Sequence, residues 1–159
     1  MNVRSTKSRI GVISDTHGLV RPEALKALRG SDLILHAGDV GSWEILRDLR
    51  AIAPVVAVRG NVDTAEWARM LPLREVAEFG GHSFYLMHRI ADLDLKPQAA
   101  GFAAVIYGHS HRPAIEWQDG VLFFNPGSAG ARRFTLPVTV GRIEIDSGEL
   151  KPKIIQILE

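Results

Sequence analysis

The chain of 159 residues has no cysteine, no long apolar run and no excess of charge of either sign. The lack of cysteine excludes disulfides, thiolate metal ligands and a cysteine nucleophile, and it fits a cytoplasmic location. No apolar run approaches the roughly 18 residues that a membrane-spanning helix requires, so no membrane partner is expected. The 19 basic residues nearly balance the 18 acidic residues, so no clear nucleic-acid patch is indicated.

The length and the 46% hydrophobic content suit one domain with a substantial core. Residues 1–8 are polar and basic, and no apolar run follows them in the manner of a secretory signal. We therefore predict a short flexible lead-in over residues 1–8 and a single domain over residues 9–159.

Strand and helix signals alternate in the first half of the chain. Apolar runs over 9–14, 33–36 and 55–58 predict strands, and the last run reads as buried on both faces. Pro22 begins a helix predicted over 22–29, and Ser42 is a suitable N-cap for a second helix that ends at Arg50. This order predicts parallel strands joined by right-handed crossovers.

After Leu73 the pattern changes to paired strands. Hairpins are predicted at Gly80-Gly81, Asp119-Gly120 and Asp146-Ser147-Gly148. Their strands cover 74–79 and 83–88, 115–118 and 121–124, and 138–145 and 150–158. Another buried strand is predicted over 103–107, and a helix over 92–100, although Pro97 weakens its middle. The elements indicate one α/β domain with two sheets and helices outside them.

Side chains with metal-ligand chemistry follow five of the predicted strands. They are Asp15 and His17, Asp39, Asn61, His88, and His109 with His111. Open α/β sheets form their sites at the carboxyl ends of strands. Residues two positions apart in an extended segment point the same way, so Asp15 should share a face with His17, and His109 with His111. We therefore expect seven side chains from five segments to converge.

The chemistry of these groups points to metal-assisted hydrolysis. Carboxylate, imidazole and carboxamide groups together bind divalent cations, which can activate water and stabilise charge on phosphate oxygens. The Gly-His-x-His pattern at Gly108–His111 would arise about 0.02 times by chance in this composition. The mixed ligands suit Mn²⁺, Fe²⁺, Co²⁺, Ni²⁺ or Zn²⁺ better than Mg²⁺ or Ca²⁺. Phosphoester hydrolysis is therefore the leading hypothesis.

Five motifs, in their order along the chain, resemble the calcineurin-like metallophosphoesterase signature. They are Asp15-x-His17, Gly38-Asp39, Gly60-Asn61-x-Asp63, His88 and Gly108-His109-Ser110-His111. The short length and Asn125-Pro126-Gly127-Ser128 are similar to the small bacterial and archaeal phosphodiesterase branch. The resemblance implies a four-layer α/β/β/α sandwich, in which helices flank two mixed β-sheets. It also implies two divalent metal ions, with manganese as the first expectation.

The resemblance divides the seven side chains between two metals. The first metal would be held by Asp15, His17, Asp39 and His111. The second would be held by Asp39, Asn61, His88 and His109. Asp39 would then bridge the metals, and Asp39, Asn61 and His88 are the expected catalytic residues. A bridging hydroxide would attack phosphorus in line, in a centre with a net charge of about +1 that attracts phosphate esters.

Two positions depart from the family pattern. Val62 stands where many larger members have a histidine that serves as acid to the leaving group, so good leaving groups or a proton from metal-bound water are favoured. Arg89 stands where members usually have glycine. Its guanidinium would either contact substrate phosphate or point to solvent at the entrance.

Further residues near the motifs are candidates for supporting or substrate-binding roles. They are His36, Asp63, Asn125, Ser128, Arg132 and Arg133. His36 would orient a ligand or, like His82, be a structural histidine. Asp63 would hydrogen-bond the Asn61 loop or cap the helix after it. Residues 125–128 would form a Pro-Gly turn or support the phosphate side, and Arg132 and Arg133 would contact phosphate or lie on solvated surface.

The leading hypothesis is a phosphodiesterase acting on a small-molecule or nucleotide phosphate ester. Members of this size often pair, so a homo-oligomer is a further expectation. One alternative is a phosphomonoesterase, which differs only in its substrate. Another is a protein-binding scaffold with a degraded site, as in the retromer scaffold subunit that this branch also resembles. All seven ligand positions are retained, which favours catalysis.

Overall fold

The computed structural model describes residues 7–158, which form two five-stranded sheets. The strands of the first sheet are β1 (Ser8–Ile13), β2 (Leu33–His36), β3 (Val55–Ala57), β9 (Thr139–Asp146) and β10 (Glu149–Gln156). They lie in the order β10-β9-β1-β2-β3. β1, β2 and β3 are parallel, as predicted, whereas β9 and β10 are antiparallel. Ser8, at the end of the lead-in predicted over 1–8, belongs to β1, and residues 1–6 of that lead-in lie outside the described residues.

The second sheet also mixes parallel and antiparallel strands. Its strands are β4 (Arg74–Phe79), β5 (His82–Met87), β6 (Ala104–Ile106), β7 (Ala114–Gln118) and β8 (Val121–Asn125). The order is β4-β5-β6-β8-β7, with the central three strands parallel. The predicted hairpins form as β4-β5, β7-β8 and β9-β10. The two-sheet α/β fold is therefore confirmed.

Two helices cover the outer face of the first sheet. They are α1 (Pro22–Leu28) and α2 (Trp43–Arg50), and buried Leu28 and Leu46 pack with Ile34 of β2. Pro22 lies in the first turn of α1, as predicted, whereas the Ser42 side chain forms no cap hydrogen bond to α2. Among the helices of residues 7–158, none combines the length and apolar character needed to cross a membrane.

The predicted helix over 92–100 is wrong. A short 3₁₀ turn over Ile90–Asp92 ends at the first residue of this segment, and it is followed by irregular chain and a single turn that begins at Pro97. Proline has no N–H to donate and disfavours helical backbone at the residue before it. Leu93 and Leu95 instead pack with Phe102 against the outer face of the second sheet. The layer on that face is therefore a non-helical segment.

β3 differs from its prediction in burial. It is an edge strand, and its Val55 and Val56 are only half-buried. The apolar sequence identified the strand, but burial depends on the neighbours that the sheet provides. A second 3₁₀ turn, over Glu66–Met70, was not predicted.

Candidate metal centre

The seven ligand candidates lie in loops at the carboxyl ends of β1, β2, β3, β5 and β6. The first two loops are joined directly by backbone hydrogen bonds. The N–H of Asp15 donates to the Gly38 carbonyl at 3.0 Å, and the N–H of His17 donates to the Asp39 carbonyl at 2.9 Å. Two loops that are distant in sequence thus run together and present their side chains to the same place.

Five of the seven candidates have left-handed backbone conformations. The φ angles are 55° for Asp15, 49° for His17, 55° for Asp39, 75° for His109 and 63° for His111. These residues are not extended, so strand alternation is not what brings Asp15 near His17 or His109 near His111. A left-handed residue other than glycine costs about 1 kcal/mol or more, and such strain is concentrated at functional sites.

The two carboxylate oxygens of Asp15 have different surroundings: one accepts hydrogen bonds from the protein, and the other faces the centre. The Ser14 hydroxyl donates to Oδ2 at 2.7 Å, and the His109 N–H donates to the same atom at 3.1 Å. Oδ1 has no hydrogen-bond partner and lies 3.7 Å from His17 Nε2 and 3.4 Å from His111 Nε2. Burial by itself would raise the pKa of Asp15, but these histidines and Ser14 outweigh it and hold the pKa below its usual range.

Asp39 is held in the same way. The Val62 N–H donates to Oδ1 at 3.0 Å, while Oδ2 lies 3.6 Å from His17 Nε2 and 3.1 Å from His88 Nε2. Burial would raise the pKa of Asp39, but the interactions with His88 and with the Val62 N–H lower it. Both carboxylates are therefore ionised, with one oxygen each turned toward imidazoles.

A backbone carbonyl orients the His88 ring. Its Nδ1 donates to the Ala37 carbonyl at 2.8 Å, which leaves Nε2 facing Asp39. Burial would lower the pKa of His88, but Asp39 and the Ala37 carbonyl raise it. A histidine whose other ring nitrogen binds a carbonyl is the usual arrangement of a metal ligand.

The surroundings of His17 and His109 shift the pKa values of these histidines in opposite directions. The neighbouring carboxylate of Asp15 raises the pKa of His17 despite the partial burial of that ring. Burial lowers the pKa of His109, and the positive charges of His88 and Arg89 lower it further. Arg89 is therefore close enough to act on this part of the centre.

The side chains form two groups whose ligand atoms lie within 4.8 Å of one another. One group is Asp15, His17 and His111, and the other is Asp39, His88 and His109. The groups adjoin, because His17 Nε2 lies 3.6 Å from Asp39 Oδ2, and His88 Nε2 lies 3.9 Å from Asp15 Oδ1.

Three buried atoms that face this centre lack a hydrogen-bond partner. They are Asp15 Oδ1, His17 Nε2 and His88 Nε2. Buried polar atoms without partners are costly in a folded protein. The chemistry of these donor atoms fits divalent cations, which would satisfy all three.

Two glycines allow the loops to approach the carboxylates. A side chain at Gly60 would collide with the backbone N and Oδ1 of Asp39. A side chain at Gly108 would collide with the Ser14 hydroxyl and lie 2.6 Å from Asp15 Oδ2. The glycines before Asn61 and His109 are therefore required for close packing around the centre.

Asp63 connects two of the ligand loops and is buried. Its Oδ2 accepts from the N–H groups of Val40 at 3.1 Å and Gly60 at 2.9 Å, and its Oδ1 accepts from Gly41 N–H at 2.9 Å. Of the two roles considered for Asp63, the structure shows the hydrogen bonds to the loop. The carboxylate ties the loop after β2 to the loop after β3.

His36 is fully buried beneath the centre in a chain of hydrogen bonds. Gly38 N–H donates to its Nδ1 at 3.1 Å, its Nε2 lies 3.0 Å from Thr16 Oγ1, and that hydroxyl donates to the Val40 carbonyl at 2.7 Å. Burial lowers the pKa of His36 to about 4. The neutral imidazole therefore supports the ligand loops without touching the centre.

Asn125 and Ser128 are also buried and bind backbone. The Asn125 amide donates to the Gly108 carbonyl at 3.2 Å, and its oxygen accepts from Gly127 N–H at 2.9 Å. Ser128 donates to the Asp15 carbonyl at 3.1 Å. These residues support the loops that carry Asp15 and His109.

The remaining candidates lie at the surface. Asn61 and Arg89 are exposed and line a cleft beside His88, and Arg89 has a φ of −112° that does not require glycine. Arg132 is exposed, and its neighbour Arg133 is close enough to His17 for its charge to oppose protonation there.

Sequence reasoning missed Ser14, Thr16 and Arg59. Ser14 and Thr16 flank Asp15 and hold the site together by hydrogen bonds. Their positions next to a ligand were the available signal. Arg59 precedes Gly60 and lines the cleft, and nothing in its local pattern separated it from surface arginines.

A family model described as the calcineurin-like phosphoesterase superfamily domain matches residues 9–148. A Methanothermobacter thermautotrophicus protein named “Probable metallophosphoesterase” is 36% identical over 92% of this chain and 91% of its own length. A phosphodiesterase of Methanocaldococcus jannaschii is 25% identical over 93% of this chain and 99% of its own length.

The fold also resembles solved structures. The crystal structure of Vps29 from Chaetomium thermophilum superposes with a TM-score of 0.75 and 20% identity. The match covers 94% of this chain and 97% of that one. At this identity the likeness shows a shared fold.

Proposed function

The chain belongs to the calcineurin-like phosphoesterase superfamily, and we propose that it is a phosphodiesterase whose centre holds two divalent metal ions. The observation that carries the proposal is the pair of adjoining ligand groups, with Asp15 in one and Asp39 in the other. Their inward-facing atoms without protein partners supply the second reason. The phosphodiesterase relative supports the choice of substrate class.

The geometry supports a division of ligands between the two positions. Asp15, His17 and His111 would hold the first metal, and His88 and His109 would hold the second. Asn61, which lines the cleft beside His88, is a further ligand that the family resemblance implies. Asp39 Oδ2 is the candidate bridge, because it lies 3.6 Å from His17 Nε2 and 3.1 Å from His88 Nε2.

Bound metal ions would supply hydroxide near neutral pH for in-line attack on phosphorus, and they would stabilise charge on the phosphoryl oxygens. The protein's part is to hold the ligands in place. The ionised Asp15 and Asp39 would retain the cations, and the Ala37 carbonyl fixes the His88 ring. Val62 is 47% exposed and has no proton to give to a leaving group, so diesters of acidic alcohols should react best.

Manganese is the first metal to test, since mixed imidazole and carboxylate ligands suit it. The ligand set also suits iron, cobalt, nickel and zinc. The cytoplasmic location and a homo-oligomeric state stay predictions from the sequence.

The likeness to Vps29 favours a second candidate function, a protein-binding scaffold with the same fold. A scaffold has no need of oriented ligands. Here His88 is oriented by Ala37, and Asp15 by Ser14 and the backbone of His109. These supports favour hydrolysis over the scaffold.

The test combines metal content with turnover. Protein purified without chelator is assayed for bound metal, and bis(p-nitrophenyl) phosphate and p-nitrophenyl phosphate are supplied with Mn²⁺. We expect faster turnover of the diester, about two metals per chain, and loss of activity in Asp39→Asn and His109→Ala. His82→Ala, on the β4-β5 hairpin, is the control and should retain activity.

Each contrary result has a distinct meaning. Faster turnover of the monoester would indicate a phosphomonoesterase. Unchanged turnover in both ligand variants would refute the proposed centre. A folded protein that binds no metal and hydrolyses neither ester would favour the scaffold.

A further inference from the structure

A cleft opens beside the second ligand group and carries more positive than negative charge. It has a volume of about 220 Å³ and is lined by Arg59, Asn61, Arg74, His88, Arg89 and Asp92, among others. We name it the arginine cleft. Three guanidinium groups face one carboxylate in its walls, although the whole chain is nearly neutral. Such a local excess of charge attracts anions.

Two of the three guanidinium groups have N–H donors without a hydrogen-bond acceptor among residues 7–158. Arg74 is occupied, because it donates to Asp94 Oδ1 at 2.9 Å and to the Asp92 carbonyl at 2.8 Å. Arg89 only approaches Asp92, at 3.9 Å, which exceeds hydrogen-bond distance. The Arg59 guanidinium forms no ion pair or hydrogen bond with any residue in the described range 7–158.

The position of the cleft ties it to the centre. Asn61 and His88 belong both to the cleft wall and to the proposed second metal position. The backbone also fixes Arg59, whose N–H donates to the Pro72 carbonyl at 2.8 Å. A phosphate ester bound at the centre would therefore direct one of its substituents into the cleft.

We propose that the arginine cleft binds a second phosphate group, carried by an alcohol that is esterified to the scissile phosphate. This inference rests on the proposed function and specifies the kind of ester that the site selects. Arg59 and Arg89 are the specificity-determining residues.

A phosphate fits the cleft better than a carboxylate does. Each guanidinium offers a planar fork of N–H donors, and a terminal phosphate, with three oxygens and a larger negative charge, can face two such forks more readily than a carboxylate can. The cleft is also smaller than the pockets that enclose whole drug-sized ligands. It therefore has room for one small charged group rather than for a whole nucleotide or a peptide.

The first experiment measures phosphate binding without metals. Inorganic phosphate is titrated by calorimetry into metal-free protein in EDTA, at low ionic strength. We expect binding about tenfold weaker in Arg59→Gln and in Arg89→Gln. Arg50→Gln, at an exposed position at the end of α2, is the matched control and should bind as the wild type does. Equal affinity in all four proteins would overturn the inference.

The second experiment compares two chromogenic diesters that differ by one phosphate. They are the p-nitrophenyl ester of thymidine 5′-phosphate and the same ester with a 3′-phosphate. We expect kcat/KM with Mn²⁺ to be about tenfold higher for the 3′-phosphorylated ester in the wild type and in Arg50→Gln. The ratio should fall toward one in Arg59→Gln and Arg89→Gln, mainly through KM.

The outcomes separate this inference from the proposed function. Equal kcat/KM for both esters, or a ratio that the arginine substitutions leave intact, overturns the second-phosphate site while the phosphodiesterase stands. No hydrolysis of either ester overturns the proposed function and the inference with it. Arg89 is exposed, so its variant should fold normally, and a matching melting temperature verifies this.

Discussion

At the scale of single residues, the centre depends on carboxylates that use their two oxygens differently. Asp15 and Asp39 each accept backbone N–H groups on one oxygen and turn the other toward histidines. The backbone donors fix the carboxylate plane and favour the ionised form. The inward oxygen therefore needs no rearrangement to bind a cation.

The buried His36 gives the metal-free protein a pH-dependent stability. Its pKa falls from an ordinary value of 6.5 to about 4 on folding. Above pH 6.5 its contribution to stability is complete, and as the pH falls toward 4 the unfolded chain takes up the proton first. We expect the wild type to lose about 2 kcal/mol of unfolding free energy between pH 7 and pH 5 from this group alone.

The measurement is urea unfolding in EDTA at both pH values, for the wild type and His36→Gln. Glutamine can accept from Gly38 N–H and donate to Thr16, yet it does not titrate. The other histidines contribute to both proteins, so the difference between their pH dependences isolates His36. Identical pH dependences would show that His36 does not resist protonation.

Gly60 should be essential for metal binding. The Cβ of Gly60→Ala would meet the backbone N and Oδ1 of Asp39, which would displace the carboxylate. We expect Mn²⁺ affinity to fall about tenfold or more, measured by calorimetric titration. Gly120→Ala, in the β7-β8 turn with open space around it, is the control. It should cost about 1 kcal/mol through its left-handed backbone and leave metal affinity unchanged.

The sequence predicted that Asp15 and Asp39 would lie near histidines, but not how their carboxylates are held. Asp15 and Asp39 could be identified because they follow apolar runs and belong to spaced motifs. Their left-handed backbones could not, because these depend on hydrogen bonds between loops, such as His17 N–H to the Asp39 carbonyl. The same applies to Asp63, whose three donors come from two separate loops.

At the scale of elements, the sequence predicted the conformation correctly where a segment's own residues determine it. The glycine turns predicted all three hairpins. The helix prediction over 92–100 was wrong, because Pro97 destabilises a helix at its position. Leu93 and Leu95 pack on the second sheet instead. β3 was identified correctly, but its edge position follows from strand order, which no single strand encodes.

β8 contributes a large aromatic side chain to the contact between the sheets. Phe124 is fully buried between them, and Gly141 of β9 leaves room for its ring. We expect Phe124→Ala to lower the unfolding free energy by about 3 to 5 kcal/mol, measured by urea denaturation, with a smaller loss in Phe124→Leu. Phe134→Ala removes a ring that is 89% exposed and should change stability by less than about 0.5 kcal/mol. Equal losses at both positions would contradict this packing.

At the scale of the whole molecule, the centre joins the two sheets. Asp15 and Asp39 follow strands of the first sheet, whereas His88, His109 and His111 follow strands of the second. The ligand groups therefore cross from sheet to sheet. A bound cation would oppose the separation of the sheets as well as the opening of individual loops.

Metal binding should consequently stabilise the entire fold, and more so at higher pH. Free Mn²⁺ at 100 times its dissociation constant should add about 2.7 kcal/mol to the unfolding free energy, and EDTA or Asp39→Asn should abolish the gain.

The raised pKa values of His17 and His88 stabilise the metal-free protein below pH 6.5, and this contribution is lost as the pH rises. Protons also compete with metal for these nitrogens. Thermal unfolding with and without Mn²⁺ at pH 6, 7 and 8 should therefore show an increment that grows with pH, and a constant increment would place the bound metal away from these histidines.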